Sequence, residues 1–115
     1  MKTSTRAFDI SGRMIRWPDG SDGTIRQETF EQDSTTTGRQ AYIARLRIER
    51  ADAPDISGGL RFTAKAHDQM PGRNDEEKAN AVALKIVSWV AQHGLKDGFF
   101  FRVDADDMGI ELFEA

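Results

Sequence analysis

One segment, residues 74–95, constrains the fold of this chain more than any other, because it carries complete signals for a long helix. Asn74 is a favourable N-cap, and Glu77, three residues later, can complete a capping box. Acidic side chains in the first turn suit the positive end of the helix dipole. Gly94 can adopt the left-handed conformation that closes a helix. The sequence therefore predicts a helix over residues 75–93.

The predicted helix has one apolar stripe and an additional apolar flank. At 100° per residue, the stripe expected to face a core consists of Ala79, Val82, Ala83, Ile86 and Val90. Leu84, Val87 and Ala91 widen the apolar arc beyond what packing on one sheet requires. Two interpretations stay open: a loop or bent strand covers this flank, or the three residues form a dimer or partner surface.

Alternating hydrophobicity predicts strands in the rest of the chain. The segments concerned are residues 5–17, 24–32, 41–50, 60–67, 99–103 and 110–113. In the first segment the alternation changes phase near Ser11 and Gly12. This change indicates either a bulge in one long strand or a tight turn between two short strands, and we favour the bulge.

The order of the predicted elements is β-β-β-β-α-β-β, and residues 51–59 are interpreted as a loop. With no crossover helices expected between strands, this order predicts an α+β fold, a mainly antiparallel sheet of five to six strands with the helix of residues 75–93 packed on one face. A chain of 115 residues is long enough for one hydrophobic core. We expect residues 1–115 to form a single domain.

The composition excludes several classes of enzyme. The chain has no cysteine and only two histidines, and it contains no nucleophile elbow, P-loop or Rossmann glycine pattern. His67 precedes Asp68 on a predicted strand, where adjacent side chains point to opposite faces. We expect no enzymatic activity, no metal and no cofactor. With no apolar run typical of a signal peptide or membrane span, we expect a cytoplasmic protein that does not contact membranes.

The first candidate binding surface is a basic sheet face. If residues 41–50 and 60–67 pair, Arg45, Arg47, Arg61 and Lys65 point to the same side, with His67 at the margin. In one interpretation, acidic residues such as Glu28 and Glu31 are the partners of these cations in a solvated ion lattice. Alternatively, the cations form a docking patch for an acidic protein surface or a phosphate backbone. Phe100 is the only aromatic residue expected near them.

The second candidate surface is acidic. Residues 66–115 carry 5 basic and 10 acidic residues, and the hairpin expected at the end of the chain contains Asp104, Asp106 and Asp107. These carboxylates either improve solubility or imitate a nucleic acid in the basic groove of a partner. Small inhibitors encoded by mobile genetic elements act in the second way, which is an analogy of charge and size only.

These observations favour a non-enzymatic protein-binding module, such as an inhibitor or accessory subunit, that acts through charged surfaces. One alternative is a nucleic-acid-binding domain that uses the arginine-rich sheet face; another is an acidic nucleic-acid-mimicking inhibitor. The net charge of −3 argues against general binding to nucleic acid. We expect another protein as the partner, and a monomer or homodimer as the free state.

Overall fold

In the computed structural model, the described part of the chain comprises residues 8–34, 40–106 and 109–114. These residues form an α+β fold, as predicted. Its elements, in chain order, are β1 (Met14–Arg16), β2 (Asp22–Ser34), β3 (Gln40–Glu49), β4 (Ile56–Thr63), α1 (Ala64–Gln69), α2 (Asp75–His93), β5 (Phe99–Asp106) and β6 (Gly109–Glu114).

The strands form one mixed sheet in which each strand lies beside its neighbour in the chain, in the order β1-β2-β3-β4-β5-β6. Four of the strand pairs are antiparallel, whereas β4 and β5 are parallel. The prediction of a mainly antiparallel sheet is confirmed. The expectation that no helix crosses between strands was wrong, because α2 is the crossover that brings β5 back beside β4 in the same direction.

The long helix α2 has the predicted bounds and caps. The side chain of Asn74 accepts a hydrogen bond from the Glu77 amide over 2.9 Å, and the Gly94 amide donates to the Val90 carbonyl over 2.8 Å. Gly94 has a positive φ of 74°, but its ψ of −173° lies outside the left-handed conformation that was predicted. Every residue of the predicted stripe is buried: Ala79, Val82, Ala83, Ile86 and Val90.

The core lies between α2 and one face of the sheet. On the sheet side, its large, fully buried side chains come from strands β1 to β5 and from the segment before β1: Phe8, Ile10, Ile15, Ile25, Leu46, Ile48, Leu60, Phe62 and Phe101. Burial of such a side chain contributes about 1.5–3 kcal/mol. The apolar faces predicted for residues 41–50 and 99–103 are therefore the ones that pack against α2.

The predicted strand over residues 60–67 ends at Thr63, so the second half of that prediction was wrong. Thr63 caps the short helix α1, and its hydroxyl accepts a hydrogen bond from the Ala66 amide over 3.1 Å. The segment that follows contains two alanines and no β-branched residue, a composition that suits a helix better than a strand. His67 is consequently buried rather than exposed at a strand end.

Two glycine-containing segments also differ from the predictions. The strand β4 begins at Ile56, inside the predicted loop, and includes Gly58 and Gly59. Ser11 and Gly12 form a turn rather than the favoured bulge, and Gly12 has a φ of 92°. Instead of forming a strand before this turn, the chain is held to β2 by the Gln27 amide group, which bonds the backbone of Phe8 and Ile10.

Candidate functional site

The face of the sheet that points away from α2 has no second layer among the described residues, and we call it the open face. Side-chain alternation along each strand, together with the strand register, determines which residues lie on it. They are Met14 and Arg16 of β1, Asp22, Thr24, Arg26, Glu28, Thr29 and Glu31 of β2, Ile43, Arg45, Arg47 and Glu49 of β3, Ser57, Gly59 and Arg61 of β4, Phe100, Arg102, Asp104 and Asp106 of β5, and Glu111 and Phe113 of β6.

Two ion pairs neutralise the part of the open face formed by β2 and β3. Arg26 and Arg47 lie directly opposite each other, which is unfavourable for like charges. Arg26 Nε lies 3.1 Å from Glu49 Oε2, and Arg47 Nη2 lies 3.0 Å from Glu28 Oε2. The predicted role of Glu28 in an ion lattice is confirmed for this pair. Exposed pairs of this kind contribute about 0–1 kcal/mol each, so their main effect is to balance local charge.

Two further arginines of the open face, Arg45 and Arg61, make no ion pair within the described ranges. Arg45 lies between Thr29 and Gly59 on the neighbouring strands, neither of which carries a charge. Arg61 is half-buried and lies opposite Ile43. The positive charges of these two side chains are therefore available to a partner.

Arg102 lies beside Arg61 on the parallel strand β5 and places a second positive charge next to it. Arg102 itself is partly neutralised, since its Nη2 lies 3.3 Å from Asp104 Oδ2. Its guanidinium carbon also lies 4.8 Å from the ring centroid of Phe113, a cation–π arrangement. Of the two neighbouring arginines, only Arg61 lacks a compensating group in the described structure.

Phe100 is the aromatic side chain at the centre of the open face. A Cβ atom on Gly59 would lie only 2.8 Å from two atoms of the Phe100 ring, so the ring rests directly over this glycine. Gly58 has the same relation to Phe99 on the inner face, where a Cβ would lie 2.2 Å from the Phe99 carbonyl oxygen. The two glycines thus let β5 and its aromatic rings pack closely against β4.

Beside Phe100, the open face contains a shallow depression of about 510 Å³. Its lining includes Ile43, Arg45, Ser57, Gly58 and Gly59, and also Glu28, whose carboxylate pairs with Arg47. Apolar contact area and a cationic group therefore occur together in one concave region that also has an acidic margin. Such a combination is typical of surfaces that bind other molecules.

The structure separates the four basic residues that were predicted to share a face. Arg45, Arg47 and Arg61 lie on the open face, but Lys65 does not, since it projects from α1 as an exposed residue. Arg102 joins the open face because β5 pairs with β4, which the sequence reasoning did not anticipate. The expectation that Phe100 lies near the arginines is met.

The acidic C-terminal residues lie on the hairpin of β5 and β6. Asp104 and Asp106 are exposed and two positions apart on β5, so they point to the same side of the sheet. The ion pair with Arg102 already compensates part of the charge of Asp104. Asp107 lies outside the described residues. The role predicted for these carboxylates remains a prediction.

The apolar flank of α2 is exposed in the described structure. Leu84 is 54% exposed, Ala91 is exposed and Val87 is partly buried. The interpretation in which a loop or bent strand covers the flank is wrong for Leu84. A dimer or partner surface at these three residues remains a prediction.

A buried polar pair, His67 and Asp75, escaped the sequence reasoning. His67 Nε2 lies 2.9 Å from Asp75 Oδ1, and the second carboxylate oxygen of Asp75 has no hydrogen-bond partner in the described part of the chain. Tyr42 and Phe62 enclose the imidazole, with the Phe62 ring stacked against it at a centroid distance of 5.9 Å. The sequence signal that could have revealed the pair is the cap at Thr63, which places His67 on a helix that faces the core.

Within residues 8–34, 40–106 and 109–114, no group of three or more His, Asp or Glu side chains is arranged to hold a metal ion. The helices of the same ranges are too short or too polar to cross a membrane. No protein-family model, curated protein or solved structure matches the chain. The open face is therefore the feature on which a functional proposal can rest.

Proposed function

We propose that this protein is a non-enzymatic protein-binding module whose contact surface is the open face. The observation that carries the proposal is the position of Arg45 and Arg61, two arginines without acidic partners among the described residues, around the aromatic ring of Phe100. Aromatic residues and arginine are enriched at the centres of protein interfaces, where they contribute most of the binding energy. We further propose that the module acts as an inhibitor or accessory subunit in the cytoplasm, in keeping with its cysteine-free sequence.

Charge balance supports a protein partner over a nucleic acid. The six arginines on the described part of the open face share it with at least as many carboxylates, including Glu31 and Glu111. Nucleic acids bind best to surfaces with a clear excess of positive charge, because each phosphate contact needs a cation. A surface of mixed charge around an aromatic centre fits another protein more closely.

Single-stranded nucleic acid is the second candidate partner. The observation in its favour is the Phe100 ring, which lies across the strand surface with Arg45 and Arg61 nearby. Bases stack on aromatic side chains of sheet surfaces, and neighbouring arginines contact the phosphates. This candidate requires binding that weakens steeply between about 50 and 200 mM salt.

A capture experiment with matched variants tests the proposed function. The immobilised protein, the double variant Arg45→Ala/Arg61→Ala and the control Arg13→Ala/Lys85→Ala are incubated with native lysate, with and without nuclease. Both variants lose two positive charges, but Arg13 and Lys85 are exposed and lie off the open face. We expect a discrete protein that the wild type and the control retain after nuclease treatment and that the double variant loses.

Two other outcomes would contradict the proposal. Retention of the same protein by all three baits would place its binding site away from the open face. Loss of all retained material after nuclease treatment would support the nucleic-acid candidate instead. Mass spectrometry of the retained fractions distinguishes these outcomes.

A further inference from the structure

The side chains at the centre of the open face alternate in chemistry. Arg45 lies opposite Gly59, and Arg61 lies two residues further along β4, opposite Ile43. Because the Phe100 ring covers Gly59, the two arginines occupy one diagonal of a square, and Ile43 and Phe100 occupy the other. We call these four side chains the central square.

The spacing within the central square indicates what can bind there. Diagonal neighbours on adjacent antiparallel strands lie about 7–8 Å apart. Alternate residues of an extended chain lie about 6.6–6.8 Å apart and point to the same side. Two carboxylates at alternate positions of an extended segment can therefore reach Arg45 and Arg61 together. Residues four apart on a helix lie about 5–6 Å apart, which matches this diagonal less well.

The charges around the central square explain why a partner of this kind would bind. Arg61 and Arg102 lie side by side on parallel strands, and only Arg102 has a carboxylate within ion-pair distance in the described structure. Like charges in this position repel each other. A carboxylate from outside that pairs with Arg61 would remove this repulsion, whereas a cationic or purely apolar partner would not.

We propose that the open face binds an extended acidic segment of the partner protein, with two carboxylates at alternate positions on Arg45 and Arg61. Ile43 and Phe100 contact the aliphatic parts of the same segment and exclude water from the ion pairs. This inference rests on the proposed function and adds the chemistry and conformation of the partner.

Synthetic peptides test the inference directly. One peptide alternates Glu and Thr, and its isomer has the same composition arranged as Glu-Glu-Thr-Thr repeats. In the isomer, alternate positions on one side of the extended chain never both carry a carboxylate. We expect the wild type to bind the alternating peptide more tightly than the isomer. Arg45→Ala and Arg61→Ala should each weaken that binding by about two- to fivefold, as expected of partly exposed ion pairs. The matched variant Lys85→Ala should bind like the wild type.

A stability measurement separates binding from a structural role of Arg61. Arg61→Gln removes one of two neighbouring positive charges, so the free variant should melt at the same temperature as the wild type or higher. A variant that melts lower and also loses the peptide would show that Arg61 supports the fold, and the inference would be overturned.

The outcomes also separate this inference from the proposed function. Equal binding of both peptides would overturn the inference that the open face binds an extended acidic segment. If capture of a partner protein still depends on Arg45 and Arg61, the protein-binding proposal is preserved. If the wild type binds neither peptide and the captured proteins do not depend on the arginines, both proposals fail. Tighter binding of a single-stranded oligonucleotide than of the alternating peptide would assign the central square to nucleic acid.

Discussion

His67 and Asp75 join the two helices of the fold, with Nε2 and Oδ1 2.9 Å apart and side chains that are 8% and 9% exposed. Asp75 is the first residue of α2, and His67 lies in α1. The aromatic rings around His67 exclude water from the pair, so removing one partner leaves a buried polar group uncompensated. The contact therefore fixes the position of α1 against the start of α2.

The first prediction concerns this pair. Asp75→Ala should lower the free energy of unfolding by about 3 kcal/mol, because it leaves His67 buried without its partner. Glu76→Ala is the matched control, since Glu76 is an exposed acidic residue of the same helical turn. It should cost less than about 1 kcal/mol, the size of a helix-dipole contribution. Urea unfolding measures the free energy of unfolding of both variants. Equal decreases would show that Asp75 stabilises the fold only through its charge at the helix end.

The second prediction contrasts the two glycines of β4. A Cβ at Gly58 would lie 2.2 Å from a backbone oxygen, whereas a Cβ at Gly59 would meet only the Phe100 ring. Gly58→Ala should therefore destabilise the fold by about 1–3 kcal/mol or more, because the strands must move apart. Gly59→Ala should be tolerated better, since the Phe100 ring can rotate away. Thermal melting of both variants tests this order, and a lower melting temperature for Gly59→Ala would reverse it.

The third prediction concerns the exposed flank of α2. Leu84→Glu should change the free energy of unfolding by no more than about 0.5 kcal/mol, as is usual for surface positions. Ile86 is only 1% exposed, and Ile86→Ala should cost about 2–5 kcal/mol. Sedimentation of the Leu84→Glu variant then tests the predicted dimer surface. An unchanged oligomeric state would remove Leu84, Val87 and Ala91 as a self-association site.

The fourth prediction concerns pH. The hydrogen bond from Arg16 Nε, 2.7 Å from Asp22 Oδ1, holds the pKa of the Asp22 carboxyl below its ordinary value of 3.8. Hydrogen bonds from the Ser21 hydroxyl and amide likewise lower the pKa of Asp19 below 3.8. When the pKa of a carboxyl is lower in the folded state, the ionised carboxyl stabilises the fold at pH values above its unfolded-state pKa. This stabilisation is lost as the pH falls through the folded-state pKa.

Carboxyl-carbon NMR titration checks this prediction. Both aspartates should titrate below 3.8 in the wild type. Arg16→Gln should move the midpoint of Asp22 upward and leave that of Asp19 in place, because Asp19 depends on Ser21. If the titration midpoint of Asp22 is the same in Arg16→Gln and in the wild type, the hydrogen bond from Arg16 does not lower the pKa of Asp22.

The elements that the sequence predicted well are those whose signals are local and repeated. Helix α2 carries caps at both ends, Asn74 and Gly94, and its buried stripe repeats at helical spacing from Ala79 to Val90. Strand β3 alternates from Ala44 to Ile48, so its inner and outer faces could be assigned without knowledge of its neighbours. In both cases the periodicity of burial fixes the structure.

The parts that escaped prediction depend on contacts between distant residues. Residues 64–67 alternate small and polar side chains, a pattern that fits a strand as well as one turn of a helix. The cap at Thr63 favours the helix, but the contact of His67 with Asp75 that secures it requires α2. The place of Arg102 beside Arg61 likewise depends on the parallel pairing of β4 and β5, which no local pattern encodes.

That parallel pair also determines when the open face comes into existence during folding. The strands β1 to β4 can pair successively through short connections, whereas β5 reaches β4 only after the chain has closed a loop that contains both helices. Closing long loops is entropically costly and slows the formation of non-local pairs. Since Arg45 and Arg61 lie before this junction and Phe100 after it, a partly folded chain displays cations without the aromatic centre. The proposed contact surface is thus complete only in the finished fold.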